Sequence, residues 1–319
     1  MHVPAEHHRH DACWLAAPYR DEEWADLAGA QREHEALVLA IAETERVELL
    51  TQEPSAAERA HPNVRIHDLP YGDSWTRDTG PVFAIDDGAL VALSFRFDGW
   101  GDKYLMDGDA LLSEGIAKAA GVPMRSFDFV LEGGAVEFDG EGTLLTTSCL
   151  SLPNRKPPAD LRARVKSAFD VNHVIEIEGQ LANDHTDGHI DTIARFVKPG
   201  EVVCMRGGPD DPNGAMLLAI EEQLLMATDA AGRPLIVHTI PSAGLLRGSD
   251  GELLAASYCN YYLANEQVIV PQYGVANDEA ALSAIAALFP ERSVRGLASR
   301  AIIEGGGSFH CITQQQPSL

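Results

Sequence analysis

The segment TGPVFAIDDGALVALSF, residues 79–95, contains two apolar runs separated by a short polar stretch. Thr79–Ile85 and Leu90–Phe95 carry the β-branched and aromatic residues that strands prefer, and Asp86-Asp87-Gly88 is a turn sequence. The segment therefore predicts a strand, a tight turn and a second strand.

The same pattern recurs along the chain. The later strand pairs are predicted at Gly134–Phe138 with Thr143–Thr147, Ile190–Val197 with Glu201–Met205, and Tyr258–Leu263 with Gln267–Pro271. Helical spacing of apolar residues is found at about Glu22–Glu48 (capped by Asp21), Asp109–Ala120, Pro158–Phe169, Met216–Ala230 and Asp278–Phe289. Repeats of about 50 to 70 residues are typical of propeller-like arrays.

The two ends of this array are predicted to complete each other. The last unit, Gly307–Thr313, offers only one strand, and Cys13–Ala17 is a strand without a local partner. Pairing these two segments would close the array and remove exposed sheet edges. The histidines before Cys13 favour a polar arm over a metal-binding tract.

Composition narrows the class of protein. The chain has 319 residues with 24 basic and 48 acidic side chains, for a net charge of -24. This balance argues against a nucleic-acid partner, and no apolar run approaches membrane-spanning length. The five cysteines are Cys13, Cys149, Cys204, Cys259 and Cys311, with no C-x-x-C pair. We expect a cytoplasmic protein without disulfides or a zinc site.

Polar residues occur just before or within the first strand of successive units. They are Asp78, Glu132, His189 with Asp191, Asn260 and Cys311. If the units surround one axis, these side chains meet at one end of it. The recurrence of this placement, and no single motif, predicts a site centred on Cys311.

These residue types suit chemistry on a planar cation. Cys311 would be a nucleophile, and His189 a general acid and base. Acidic neighbours alone would oppose formation of a thiolate. A guanidinium held by Asp78 and another carboxylate would favour the thiolate, because carboxylates bind its N–H groups in pairs.

A metal site is an alternative interpretation of one segment. His185, Asp187, His189 and Asp191 alternate, so on a regular strand they would face one side, as in a metal-dependent ureohydrolase. The sequence shows no second cluster of this kind, and Gly188 would interrupt the strand. The glycines at 305–307 match no phosphate-binding motif.

Five motifs resemble the agmatine deiminase and bacterial peptidyl-arginine deiminase family of the guanidino-group-modifying superfamily. They are Trp75-Thr76-Arg77-Asp78-Thr79-Gly80-Pro81, Glu132-Gly133-Gly134, Gly188-His189-Ile190-Asp191, Tyr258-Cys259-Asn260, and residues 305–317 from Gly305-Gly306-Gly307 through Cys311 to Pro317. The resemblance implies an α/β pentein fold: a single catalytic domain, 1–319, of five pseudo-symmetric ββαβ units.

The resemblance also implies the roles of the site residues. Cys311 would be the nucleophile and His189 the proton shuttle, while Asp78 and Asp191 grip the guanidinium and Glu132 supports both. Trp75 would form one wall of the site, and Asn260 and Gly307 would lie beside Cys311 and the substrate. No metal or other cofactor is implied.

The implied reaction is hydrolysis of agmatine to N-carbamoylputrescine and ammonia through a covalent thiouronium on Cys311. Departures from the family pattern at Pro4-Ala5-Glu6-His7, Ala17-Pro18, Ser308-Phe309 and Asp187 leave other guanidino substrates open. Amidino transfer to an amine, a silent guanidino-binding protein and an assembly of identical subunits also remain open.

Overall fold

Five β-sheets organise the chain in the computed structural model, which describes residues 1–319. Four sheets have three strands each, in the orders β4-β5-β6, β7-β8-β9, β10-β11-β12 and β13-β14-β15, and the fifth has the order β16-β1-β2-β3. The strands are β1 (His10–Ala16), β2 (Arg46–Leu50), β3 (Val64–His67), β4 (Val82–Asp86), β5 (Ala89–Arg96), β6 (Met124–Val130), β7 (Val136–Phe138), β8 (Thr143–Thr147), β9 (His173–Ile177), β10 (Ala194–Lys198), β11 (Glu201–Arg206), β12 (Ile236–Pro241), β13 (Tyr262–Leu263), β14 (Gln267–Gln272), β15 (Ser293–Ala298) and β16 (Thr313–Pro317).

Each sheet follows one topology. The first two strands are antiparallel, and the next strand pairs parallel to the second, as in β4, β5 and β6. The helices are α1 (Leu27–Ala42), α2 (Ala56–Ala60), α3 (Thr76–Thr79), α4 (Gly99–Asp102), α5 (Asp109–Ala120), α6 (Leu161–Phe169), α7 (Gly214–Met226), α8 (Asp278–Leu288) and α9 (Arg300–Glu304). One long helix precedes each returning strand, which confirms the predicted five ββαβ units.

The returning strands of the four three-stranded sheets are not evident in the residue pattern. None of the six residues of β15 is fully buried, and Met124, Arg125 and Ser126 at the start of β6 are exposed. A strand at the open edge of a small sheet needs few apolar residues, so its sequence lacks a strong strand signal.

The first long helix is shorter than predicted. It begins at Leu27, and the side chain of Asp26 caps it by accepting a hydrogen bond from the Gly29 N–H at 2.9 Å. The predicted cap at Asp21 is therefore wrong. Residues 21–26 form turns that bury Trp24 against Trp75, with ring centroids 5.5 Å apart.

The predicted closure of the array is confirmed. Strand β1 pairs antiparallel with β16, with Cys13 opposite Gln315 and Leu15 opposite Thr313. The closing strand begins at Thr313, later than predicted, because the glycines before it form turns.

The N-terminal segment is not a polar arm. Val3 and Ala5 are buried among apolar side chains, and Glu6 is only 5% exposed. His10 is buried as well, with Nδ1 3.2 Å from the hydroxyl of Tyr262. The segment is therefore part of the core, and its charged groups need internal partners.

Helices of this chain pack on sheets. In the largest apolar cluster, Leu217 and Ile220 of α7 lie with Val203 of β11. No helix combines the length and apolar character needed to cross a lipid bilayer.

Candidate active site

The predicted site residues are carried by the segments that lead into the first strand of each unit. Asp78 lies in α3, Glu132 immediately precedes a 3-10 helix at 133–135, and Asp191 lies in another at 190–192. Asn260 precedes β13, and Cys311 precedes β16. The prediction that such residues lie just before a strand is confirmed for Asp78 and Glu132. Asp191, Asn260 and Cys311 were predicted inside strands, and this is wrong, because each lies in a turn or 3-10 segment before its strand begins.

Cys311 lies in contact with two of the predicted residues. The Nδ2 of Asn260 is 3.2 Å from its Sγ, and Sγ is 3.6 Å from Oδ2 of Asp191. Burial, followed by the charges of Asp191 and Asp78, raises the pKa of the Cys311 thiol well above its usual range. Without a ligand, the sulfur is therefore a neutral thiol at neutral pH.

Asn260 also fixes the backbone at Cys311. Its Oδ1 accepts hydrogen bonds from the N–H groups of His310 at 3.0 Å and Cys311 at 3.3 Å. One amide side chain thus contacts both the sulfur and the turn that carries it.

His189 is fully buried between two carboxylates. Its Nδ1 is 3.6 Å from Oδ2 of Asp78, and its Nε2 is 3.8 Å from Oε2 of Glu132. Neither ring nitrogen makes a hydrogen bond within the protein. Burial opposes protonation, but Asp78, Glu132 and Asp191 outweigh it and raise the pKa of His189 to about 9. The raised pKa favours the protonated ring at neutral pH.

Two donors hold the carboxylate of Asp78. The indole Nε1 of Trp100 donates to Oδ2 at 2.9 Å, and the N–H of Gly134 donates to Oδ1 at 2.9 Å. Burial nevertheless raises the pKa of Asp78, with Asp191 and Glu132 acting in the same direction against His189. A bound cation would relieve this repulsion.

Gly134 allows three site residues to converge. A Cβ added at this position would lie 2.7 Å from Nδ1 of His189, 2.8 Å from Oδ1 of Asp78 and 3.2 Å from Oδ2 of Asp191. A residue with a side chain would not fit at Gly134, because the three side chains approach its backbone too closely.

The negative charge of Glu132 is neutralised by a buried arginine. Arg155 contacts its Oε1 through Nη1 and donates through Nη2 to the carbonyl oxygen of Thr186 at 2.9 Å. Burial opposes ionisation of Glu132, but His189 and Arg155 outweigh it and lower its pKa. The carboxylate remains charged and can stabilise a cation in front of it.

Asp191 is held by the residue that precedes Cys311. Its Oδ2 lies 2.7 Å from Nδ1 of His310, while its Oδ1 has no hydrogen-bond partner in the protein. Burial opposes ionisation, but His310 and then His189 outweigh it and lower the pKa of Asp191.

The cavity above Cys311 has a volume of about 140 Å³. Its walls include Trp75, Trp100 and Gly307, and its acidic lining residues are Asp78, Glu23, Asp73 and Glu304. A Cβ at Gly307 would lie 2.6 Å from the Trp75 ring and 3.0 Å from Cβ of Cys311, so this glycine keeps the wall close to the sulfur. No lysine or arginine lines the cavity.

The alternating His185–Asp191 segment is not a strand. Asp187 and Gly188 have φ angles of 65° and 103°, and the chain then enters the 3-10 helix at 190–192. His185 instead stacks on Tyr104 at the cavity rim, 5.6 Å between ring centroids. The four side chains therefore do not share one strand face.

A different group of side chains is close enough to hold a metal: Glu6, Glu137 and His310, whose ligand atoms lie within 4.8 Å of one another. The guanidinium of Arg195 already contacts Glu6 and lies 3.1 Å from Oε2 of Glu137. A buried cation of the protein itself thus occupies the place of a metal ion.

Several supporting residues escaped the sequence analysis: Trp100, Arg155, His310 and Glu6. Three of them stand in segments that resemble the deiminase family: Pro153-Asn154-Arg155, Pro4-Ala5-Glu6 and the motif that contains Cys311. Trp100, in a glycine-rich turn, carried no such resemblance.

Known proteins match the chain over nearly its whole length. The family model of the Porphyromonas-type peptidyl-arginine deiminases matches residues 2–317. An agmatine deiminase of Stutzerimonas stutzeri is 37% identical, with 99% of this chain and 95% of that protein covered.

Solved structures agree. An agmatine deiminase of Enterococcus faecalis superposes with a TM-score of 0.93 at 30% identity, covering 99% of this chain and 96% of that one. A cysteine-to-serine variant of the C. jejuni agmatine deiminase with substrate bound has a TM-score of 0.90 at 26% identity, covering 99% and 96%. The match of both sequence and fold across all five units means that this chain belongs to the Porphyromonas-type peptidyl-arginine deiminase family.

Proposed function

We propose that this protein is a deiminase that hydrolyses agmatine to N-carbamoylputrescine and ammonia, and that residues 1–319 form its single catalytic domain. The observation that carries the proposal is a cluster around one acidic cavity: Cys311 and Asp78 line the cavity, and Oδ2 of Asp191 lies 3.6 Å from Sγ of Cys311. Nδ1 of His189 lies 3.6 Å from Oδ2 of Asp78. The names of the similar proteins from S. stutzeri and E. faecalis support agmatine as the substrate.

The guanidinium binds between Asp78 and Asp191. The unpaired Oδ1 of Asp191 is available as an acceptor, and Asp78 is a buried carboxylate whose pKa is raised by burial and by its acidic neighbours. The incoming positive charge restores electrostatic balance and lowers the pKa of the Cys311 thiol, because an opposite charge nearby favours the thiolate. Substrate binding therefore activates its own nucleophile.

The first half of the reaction forms a covalent intermediate. The Cys311 thiolate attacks the guanidinium carbon, and a C–S bond forms as one C–N bond breaks. His189, protonated because its pKa is about 9, gives a proton to the departing nitrogen, which leaves as ammonia. A thiouronium on Cys311 remains.

The second half releases the product. His189, now neutral, takes a proton from water, and the resulting oxygen nucleophile attacks the thiouronium carbon. The C–S bond breaks, the thiolate leaves, and the hydroxyl proton passes to water, so that the carbon keeps its oxygen as the carbonyl of a ureido group. Glu132 stabilises the imidazolium that forms, since its Oε2 lies 3.8 Å from Nε2.

The cavity lining supports a substrate with a second positive charge. Glu23, Asp73 and Glu304 line the cavity together with Trp75, and no lysine or arginine is there to pair with a carboxylate. The ammonium tail of agmatine fits this lining better than the α-carboxylate of arginine does. The five free buried cysteines suit a reducing cytoplasm, which would also keep Cys311 reduced.

Product analysis tests the proposal. Purified protein is incubated with agmatine, arginine, a peptidyl-arginine and agmatine plus a second amine, and ammonia, urea and transfer products are measured with and without a chelator. We expect ammonia from agmatine, insensitivity to chelation and no turnover by Cys311→Ser, with the variant still bound by agmatine in a thermal-shift assay. Urea release that chelation stops would establish a ureohydrolase, ligand binding without any product would establish a binding protein, and turnover by the variant would reject Cys311.

A further inference from the structure

A buried chain of three ionisable side chains leads away from the cavity behind the nucleophile. His310 Nδ1 is 2.7 Å from Oδ2 of Asp191, and His310 Nε2 is 2.7 Å from Oε2 of Glu6. All three side chains are nearly inaccessible, with exposures of 0% for Asp191, 3% for Glu6 and 1% for His310.

We propose that His310 and Glu6 are positioning residues that fix the carboxylate of Asp191 for guanidinium binding. The proposal rests on the function proposed above, and neither residue touches the substrate. Both act through Asp191.

Both ring nitrogens of His310 face carboxylate oxygens at 2.7 Å. His310 therefore bridges Asp191 and Glu6, and it occupies Oδ2 of Asp191 while Oδ1 stays free.

Glu6 is anchored by groups other than His310. Its Oε1 accepts a hydrogen bond from the Leu263 N–H at 2.9 Å, and its Oε2 also contacts the guanidinium of Arg195. The Nε of Arg195 lies 3.1 Å from Oε2 of Glu137. The N-terminal segment thus supplies a fixed carboxylate that holds His310 in line with Asp191.

The position of His310 next to Cys311 makes this arrangement relevant to the sulfur. Asn260 Oδ1 accepts from the N–H groups of both residues. A shift of the His310 ring would therefore move the guanidinium acceptor and disturb the turn that carries the nucleophile.

Several charged or titratable groups influence Asp191, so its ionisation is a sensitive readout. They are His310, His189 and Arg195, which favour the carboxylate, and Asp78 and the Cys311 thiol on its cavity side. Replacing His310 removes the partner that most lowers the pKa of Asp191. The acid limb of the kcat/KM profile should then move to higher pH, because Asp191 takes up a proton more readily.

The experiment compares His310→Leu, His310→Asn and Glu6→Gln with Glu137→Gln as the matched control. Asn can keep a donor near the position of Nδ1 but carries no charge and does not reach Glu6. Glu137 is also buried and also faces Arg195, and it accepts from the Phe196 N–H at 3.1 Å without bonding His310. Each variant is assayed for kcat, KM and kcat/KM against pH with agmatine, and for thermal stability.

We expect kcat/KM at neutral pH to fall by about 10- to 100-fold in His310→Leu, the range for loss of a hydrogen bond to a charged group. His310→Asn should recover part of this loss through a lower KM, while its acid limb, like that of Glu6→Gln, stays shifted to higher pH. Glu137→Gln should be less stable but keep the wild-type profile.

Unshifted acid limbs in the folded His310→Asn and Glu6→Gln variants, or losses that merely follow thermal stability, would overturn the positioning role. If His310→Leu does not fold, these two variants decide the question. Absence of ammonia release from agmatine by the wild-type protein would instead overturn the proposed function, so the two failures are distinguishable.

Discussion

Arg155 contacts Glu132 deep inside the protein, with side-chain exposures of 3% and 1%. The arginine comes from a 3-10 helix at 153–155, and the glutamate precedes the 3-10 helix at 133–135. The pair lies behind His189, so the cation that neutralises Glu132 does not compete with a substrate in the cavity. The same pair links the support of the site to the stability of the fold.

We expect Arg155→Met to lower the free energy of unfolding by about 3 to 5 kcal/mol, because it leaves a buried carboxylate without its partner. Denaturant unfolding measures this loss. Lys156→Met is the control, since Lys156 pairs with Asp102 at the surface and its removal should leave the unfolding midpoint unchanged. Equal midpoints for both variants would contradict the structural importance of the pair.

Gly134→Ala should lower kcat/KM by at least about 100-fold, because the new methyl group would displace His189 and Asp78 from the geometry that the reaction requires. Ammonia release from agmatine is the measurement. The control is Gly208→Ala, since a Cβ there would meet no heavy atom within 4 Å. Full activity in Gly134→Ala would mean that His189 and Asp78 need not lie this close during turnover.

The pH dependence of kcat/KM follows from the raised pKa of His189, about 9. The native state holds this proton more tightly than an unfolded chain, so the associated stability is complete below about pH 6.5 and is lost as pH rises through about 9. Activity should fall over the same upper range, because the first half-reaction needs a protonated His189. Circular dichroism checks that the fold persists there. A rate that keeps rising beyond pH 9 would indicate that thiolate formation in the free enzyme is limiting instead.

Replacing Glu23 and Glu304 together by Gln should raise the KM for agmatine several-fold and leave kcat unchanged, because these rim carboxylates act on the tail of the substrate. The effect should shrink as salt is added, since Glu23 is exposed and its charge is screened. Glu22→Gln controls for net charge, as Glu22 is 68% exposed and lies outside the cavity lining. An equal rise in KM for Glu22→Gln would assign the effect to the general surface potential.

The residue pattern was sufficient to predict the hairpins because their strands are buried on both faces. Ala194–Lys198 and Glu201–Arg206 carry continuous runs of buried residues. The convergence of Cys311 with His189 and Asp78 could also be predicted, since repeated units place equivalent positions at a common centre. The returning strands β6, β12 and β15 were missed because exposed and half-exposed residues give little periodic signal.

The charges behind the site could not be predicted in the same way. His310 and Glu6 are separated by 304 positions in the sequence, yet their side chains meet at 2.7 Å. The local sequence around Glu6 does not show which groups its carboxylate meets, because its burial depends on Arg195 and on the packing of the N-terminal segment. Such partners emerge only from the assembled fold.

The pairing of β1 with β16 also bears on the order in which the molecule forms during translation. Trp14 and Gln314 are neighbours in that sheet, so the fifth unit cannot form until both residues have been synthesised and have left the ribosome. Contacts this distant along the chain form slowly. The hairpins of the other four units can form on the nascent chain. Cys311 is placed beside its acidic neighbours only in the last step. An incomplete chain would therefore be inactive. Truncation before Thr313 should leave the edge of β1 unpaired, so that the truncated protein is prone to association through that strand.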